Sequence, residues 1–397
     1  MIPRPTYLDK LFLYKDKDLI KVLTGLRRAG KSTLLELYRK SLRENGIAEN
    51  QIISINFEDP RNEGLNTSSK LYEHIVSQVC GDAKTYVFLD EIQQVESFEK
   101  AVDGLYLKKN IDTYITGSNA YFLSGELATL LSGRYVEIPV FPLSFKELAS
   151  VHSGTSHQIL LQTYLKYGGL PYVNAMEGNA QTIFDYLGGV YNTVVRKDVL
   201  ARLGTFNSIA LDKVTKFLFD NVGNTTSIKK ISDTITSAGN KITPPTVARY
   251  VEALLDAYVL HKCSRYDLKG KRYLQTQEKY YLGDLGLRYY LLGDRPGDVG
   301  HLLENIVYLE LMRRNHNVAI GKSYSNEIDF VTTSSAGVAY YQVASSVLDP
   351  ETLKRELAPL QAISDNYPKY LLTLDEIGTG SHEGIEQLNL YDWLLAT

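Results

Sequence analysis

The chemistry-bearing residues of this chain begin in the stretch VLTGLRRAGKSTLL, residues 22–35, where Gly25, Gly30, Lys31 and Ser32 stand at G-x-x-x-x-G-K-[ST] spacing. The glycines let successive backbone N–H groups turn inward, and a helix starting at the lysine aims its positive dipole end at the same point. Lys31 then reaches the outer oxygens of a polyphosphate, and the Ser32 hydroxyl supplies a ligand for Mg²⁺. Arg28, Ala29 and Thr33 complete the set expected to line the phosphates. Arg27 and Arg28 either pair with local carboxylates or touch phosphate, and the spacing leaves both open.

Phosphoryl transfer to water needs more than a cradle. It needs a carboxylate for the metal and a group to orient or deprotonate the attacking water. TYVFLDEIQ, residues 85–93, offers Asp90 at the end of an apolar run as the metal ligand and Glu91 beside it as the base, on a strand expected to neighbour the one that leads into the glycine loop. A second apolar run ends at Thr116 and opens into Gly117, Ser118 and Asn119. Asn119, with Ser118 as second choice, is read as the polar sensor between the γ-phosphate and Glu91. Arg134 follows a Ser-Gly turn and precedes the strand-like YVEIPV, a position from which it could stabilise transition-state charge on a neighbouring subunit.

These residues require strands and helices to hold them. LIKVLT reads as a buried strand before the loop and STLLELYRKSLREN as the helix after it, the strand-loop-helix order on which the motif depends. The whole chain has 397 residues, 44% of them hydrophobic, enough for two to four packed domains. A net charge of -3 argues against a surface coated in basic residues for indiscriminate nucleic-acid binding. The two cysteines, Cys80 and Cys263, lie far apart without His or Cys at metal-ligand spacing, which fits neither a disulfide framework nor a zinc site and suits a reducing cytoplasm. The N-terminus lacks the layout of a signal peptide, and no apolar run reaches the ~18 residues of a membrane span. The expectation is a soluble, cytoplasmic protein without a membrane partner.

Taken together, GLRRAGKST, FLDEIQ, TGSNA, LLSGRY, PLSFKEL and GGLPYV resemble the bacterial and archaeal ATP-binding proteins that join an AAA+ core to a winged helix and a C-terminal domain similar to PD-(D/E)XK nucleases. The resemblance spans nearly the whole chain. It implies an α/β fold: an AAA+ P-loop parallel-sheet core over 1–142, a winged helix over 206–293 and a restriction-endonuclease-like α/β domain over 294–397, while the helical spacing of apolar residues between the first two reads as a helical lid over 143–205. It implies ATP and Mg²⁺ as cofactors, Lys31 and Ser32 as the loop lysine and metal ligand, Asp90 and Glu91 as the acidic pair, Asn119 as the sensor and Arg134 as the arginine finger of an oligomer.

The later segments carry their own patterns. Ile183, Leu187, Val190, Tyr191, Val194 and Val195 recur at helical spacing in the lid, and Gly168-Gly169 reads as a turn without chemistry. In the segment read as a winged helix, Thr243 is the N-cap candidate of a helix whose expected buried stripe is Val247, Val251, Leu254, Leu255 and Tyr258. Its outer face shows Thr246, Arg249 and Glu252. A following hairpin would carry Lys269, Lys271 and Arg272 at its tip, so Arg249 and these three are the candidate contacts to the phosphates of double-stranded DNA. Beyond residue 294, HLLENIVYLELMRRNHNVAIGK reads as one helix, NEIDFVTT and VAYYQVA as strands, and residues 351–375 as a helix and a closing strand. Glu304, Asp329 and Gln342 match the nuclease-like pattern. Ala344 stands where an active member carries lysine, which argues against cleavage. The reading is an ATPase coupled to DNA or a protein partner. The alternatives are a nucleotide-gated regulator or scaffold with little turnover and an ATP-regulated nuclease.

Overall fold

The apolar run ahead of the glycine loop forms β1 (Ile20–Thr24), a strand buried at all five positions, as expected of a parallel strand covered on both faces. The computed structural model describes residues 2–117, 131, 133–176, 178–203, 207–268, 270, 272–323 and 326–396. It divides into two compact units, Met1–Pro142 and Leu143–Thr397.

In the first unit, α1 (Pro5–Leu13) precedes β1. Then follow α2 (Lys31–Glu44), β2 (Ile52–Asn56), α3 (Ser68–Gln78), β3 (Thr85–Asp90), α4 (Phe98–Tyr106), β4 (Ile111–Thr116) and β5 (Tyr135–Pro139). The five strands form one parallel sheet in the order β2-β3-β4-β1-β5. Alternation along β1 divides its side chains between two cores: Ile20 and Val22 pack with Leu71, Ile75, Val102 and Leu105 of α3 and α4, while Leu23 packs with Leu11, Leu34 and Tyr38 of α1 and α2. On that second face Lys21 is fully buried and ion-paired with Asp112 of β4, whose other oxygen accepts from the Tyr114 hydroxyl at 3.0 Å.

One expectation is corrected here. The acidic strand β3 does not neighbour β1, because β4 lies between them and pairs with both. Strands buried on both faces read alike in sequence, so composition could not rank which lies beside which.

The second unit opens with helices Phe145–Ala149, His157–Tyr167 and Ala180–Tyr191, the last continuing as a π-helical stretch over Asn192–Val199. All six apolar residues that set the helical period in this region, from Ile183 to Val195, are buried. Helices Ser208–Asp220, Ile228–Ser237 and Pro244–Asp256 follow. Next come the hairpin β6 (Leu260–Asp267) and β7 (Arg272–Leu282) and two further helices, Leu285–Leu292 and Val299–Arg313. Strands β8 (Asn317–Ser323), β9 (Asn326–Ser334), β10 (Gly337–Val343), β11 (Lys369–Thr373), β12 (Gly380–His382) and β13 (Ile385–Asn389) join the hairpin in an eight-stranded mixed sheet, order β12-β13-β11-β10-β9-β8-β6-β7.

Here the structure differs from the sequence reading in three ways. The single helix expected over 301–322 ends at Arg313; Asn315 takes a left-handed φ of 62°, and Asn317–Ser323 becomes β8. The hairpin is sewn into the sheet by parallel pairing of β6 with β8, so the sheet runs across the boundary drawn at 293. The strand expected to close the fold, β11, lies inside the sheet between β10 and β13. No helix among the described residues is long and apolar enough to cross a membrane.

Candidate functional site

The glycine loop leaves β1 at Thr24, whose hydroxyl donates to the Glu137 carboxylate at 2.7 Å. Gly25 follows with φ 130°, its backbone pressed against the segment after β5: a Cβ there would lie 2.1 Å from the Val140 carbonyl oxygen. Only glycine fits both the φ and the space. Gly30, also left-handed at φ 96°, is the N-cap residue of α2. Lys31 is buried, 6% exposed, and its ammonium donates to the carbonyls of Gly25 at 2.9 Å and Leu26 at 3.3 Å. The lysine thus folds back over the loop and satisfies its charge on backbone oxygens. Ser32 and Thr33 are exposed on the first turn of α2. Arg28 is exposed with φ 69°, and Arg27 pairs with Glu58 at 3.1 Å, the carboxylate alternative for that residue.

The acidic pair comes from the end of β3. Asp90 is buried, and Glu91 adopts a left-handed φ of 57° that turns the chain sharply into a short 3-10 turn, Ile92–Gln94. Burial raises the Glu91 carboxyl above the usual carboxylate range. The Gln93 amide, which donates to it at 2.5 Å, and the nearby Lys31 charge oppose that rise.

The link between the two halves is a residue the sequence reading passed over. Thr116, the last residue of β4 and wholly buried, donates its hydroxyl to Asp90 and accepts the Glu91 N–H at 3.1 Å. Because β4 lies between β1 and β3, its end is where the acidic pair can be fixed relative to the loop. The available signal was local: a hydroxyl residue at the last position of the strand, just before Gly117. The residues expected to act as sensor, Asn119 and its second choice Ser118, lie outside the described residues.

Arg134 lies at the opposite end of β1, where β5 begins. Its carbonyl accepts the N–H of Ile20, the first residue of β1, and its guanidinium sits 5.3 Å from the centre of the Tyr106 ring. The length of β1 therefore separates it from the loop, ~15 Å at ~3.3 Å per residue. It cannot meet the phosphate site of its own chain through that strand.

In the second unit the nuclease-like residues do converge. The Asp329 carboxylate accepts the Val343 N–H at 2.9 Å, while the Gln342 side-chain Oε1 accepts the Asp329 N–H at 3.4 Å and its Nε2 donates to Glu356 at 3.0 Å. Between Asp329 and Glu304 lies the ammonium of Lys279, from β7, at 3.2 Å from Glu304, 3.0 Å from Glu327 and 3.9 Å from Asp329. Lys279 is buried. Burial alone would lower its pKa, but Glu304, Asp329 and Glu327 outweigh it and raise it. Burial likewise pushes Glu304 up, yet Lys279 and His301 hold it below the usual range, while burial and the Glu304 charge drive Asp329 well above it. The cluster so holds its own cation. Among the described residues no group of three or more His, Cys, Asp or Glu is arranged to hold a metal.

The candidate DNA contacts are not brought together by the described residues. Arg249 is exposed on its helix but donates to the Leu203 carbonyl at 3.2 Å. Lys269 and Lys271 lie outside the described residues, as does the side chain of Arg272. The Gly168-Gly169 turn packs on a carboxylate: Asp284 accepts the Gly169 N–H at 2.7 Å and the Gly286 N–H at 2.9 Å.

Comparison with known proteins fits this geometry. Residues 17–149 match the AAA domain (AAA_14), and residues 158–298 match a domain of unknown function (DUF8612). An uncharacterized protein of Haemophilus influenzae is 41% identical over 401 aligned residues, which cover 100% of this chain and 99% of that one. An uncharacterized protein of Methanocaldococcus jannaschii is 29% identical, covering 94% of this chain and 85% of its own. Among solved structures, the Walker-type ATPase of Pyrococcus abyssi shares the fold with a TM-score of 0.51 at 17% identity, over 73% of this chain and 96% of that one.

Proposed function

The chain belongs to one family with the uncharacterized Haemophilus influenzae protein, and its residues 17–149 form an AAA domain; from that premise we propose that its first unit binds and hydrolyses ATP with Mg²⁺. The observation that carries the reading is the fixing of Asp90 and Glu91 by one buried hydroxyl, that of Thr116, on the strand that pairs with the strand entering the glycine loop. Lys31 exchanges its two carbonyl partners for phosphate oxygens, and Arg28, Ala29, Gly30 and Thr33 line the bound phosphates. The Ser32 hydroxyl and the Asp90 carboxylate are hard oxygen donors that suit Mg²⁺. When bound, that ion neutralises charge on the transferring phosphoryl group. Glu91, its basicity raised by burial, accepts the proton of the attacking water. Asn119 completes the site as sensor.

The finer parts of the proposal concern partners. Arg134, at the end of β1 away from its own loop, acts as a finger on a neighbouring copy, so the active form is a homo-oligomer. Three helices followed by a hairpin over 208–282 form a winged helix through which nucleotide state is passed to double-stranded DNA or a protein partner. The C-terminal sheet is a nuclease-like domain without cleavage activity, since Ala344 replaces the expected lysine and Lys279 neutralises the acidic residues from β7.

Steady-state ATP hydrolysis by wild type and Glu91→Gln, with and without duplex DNA across a protein concentration series, tests this. The proposal expects turnover that depends on Glu91, rises with DNA and grows faster than protein concentration. Tight nucleotide binding with negligible turnover in every condition would replace the ATPase reading with a nucleotide-gated switch.

A further inference from the structure

Arg4 is a cation buried at the foot of the phosphate loop, 3% exposed, ahead of α1. Its guanidinium donates to the carbonyl of Ala29, inside the loop, at 3.0 Å. It also donates to the carbonyls of Phe141 at 2.9 Å and Pro142 at 3.5 Å, at the end of the first unit. The guanidinium lies 4.4 Å from the centre of the Tyr7 ring, and the Tyr7 hydroxyl accepts the Phe141 N–H at 3.0 Å. The segment held in this way is also the one that touches the loop at its start: Val140 donates to the Thr24 carbonyl at 2.8 Å, and its own carbonyl presses on Gly25.

We propose that Arg4 is a positioning residue for the phosphate site and the tie through which occupancy of the loop is felt at Phe141-Pro142, where the chain passes into the second unit. This rests on the ATP reading above. The physical argument is the rigidity of one peptide. The plane joining Ala29 to Gly30 is fixed, with its C=O and N–H pointing in opposite directions. By holding the Ala29 oxygen, Arg4 sets the direction of the Gly30 N–H, one of the donors that a phosphate-binding loop turns toward its anion. A planar fork with several donors can hold that oxygen and the Phe141 oxygen at once, whereas an ammonium bonds them as a point charge without the fixed geometry. Movement of the Ala29–Gly30 peptide when phosphate enters is therefore transmitted to residues 141–142 through one side chain.

The test uses the full chain, with Arg4→Met and Arg4→Lys, ADP and a non-hydrolysable ATP analogue as probes, and hydrogen exchange of loop and connector amides as readout. In the nucleotide-free chain, Arg4→Met is expected to speed exchange in residues 25–31 and at the amides of Val140 and Phe141 together. It should weaken nucleotide binding about tenfold, the scale of one charge-assisted hydrogen bond. At saturating nucleotide the loop should regain protection while the connector no longer responds, and Arg4→Lys should restore part of both effects. Arg4→Lys also provides the folded variant if the methionine chain does not fold. A folded Arg4→Met protein with unchanged affinity and a wild-type connector response overturns the tie, as does acceleration confined to one of the two segments. Wild type that binds no nucleotide overturns the ATP reading instead, and the nucleotide-free exchange still judges Arg4.

Discussion

Replacing Thr116 with valine removes one hydroxyl, keeps the β-branched shape that suits a strand, and leaves every residue of the glycine loop in place. Two interactions disappear: the hydroxyl donor to Asp90, and the acceptor of the Glu91 N–H. A hydrogen bond to a buried charged group contributes about 1.5–3 kcal/mol, and an orphaned buried N–H costs about 1–3 kcal/mol. Since the effects are not additive, Thr116→Val should lower unfolding stability by about 2–4 kcal/mol. Glu91 is held in a left-handed conformation that is uncommon outside glycine, so the anchor on its own N–H matters more than at an ordinary strand end. A shift of about 1 Å in a catalytic group is enough for about a hundredfold loss of rate, so turnover at saturating ATP should fall by about 10–100-fold. Nucleotide affinity should change less than about threefold, because the hydroxyl bonds only the acidic pair. The assay is a denaturant titration, a nucleotide-binding titration and steady-state hydrolysis on wild type, Thr116→Val and Thr116→Ser. Serine keeps the hydroxyl and should retain most of the rate. A folded valine variant that turns over ATP as fast as wild type would refute the role given to Thr116.

Two predictions concern the second unit. Lys279→Met leaves Glu304 and Glu327 buried or half-buried without their cation and should cost about 3–5 kcal/mol of stability in a urea titration; a loss under about 1 kcal/mol would show that the carboxylates do not depend on it. Asp284 is fully buried, and burial pushes its carboxyl up to about 7 against the opposing backbone N–H donors of Gly169 and Gly286. The native state therefore keeps its proton to a higher pH than the unfolded chain, which releases it near pH 4. Its contribution is greatest at low pH and is lost as pH rises from about 4 to 7, by about 4 kcal/mol in all. Asp284→Asn should flatten that part of the stability profile measured by denaturant titration at stepped pH, and an unchanged slope would rule the group out as its source.

What the sequence alone determined is what lies contiguous in it. The loop from Gly25 to Ser32 needs only local backbone geometry and the start of α2, and Asp90-Glu91 needs only the end of an apolar strand, so both were legible as written. The helical period from Ile183 to Val195 was legible for the same reason, since burial of one face repeats every three or four residues. Tertiary structure decided everything that depends on strand order and long-range approach. Placing β4 between β1 and β3 is what makes Thr116 the anchor of the acidic pair, and nothing in the run ending at that residue says which strands flank it. Arg4 reaches Phe141 across 137 residues, and Lys279 reaches Glu304 and Glu327 from the other side of the domain boundary expected at 293. Buried charges of this kind are positioned by their partners rather than by their neighbours in the chain. Desolvation forces each to find an opposite charge or a carbonyl, and only the folded topology says which one lies within 3 Å.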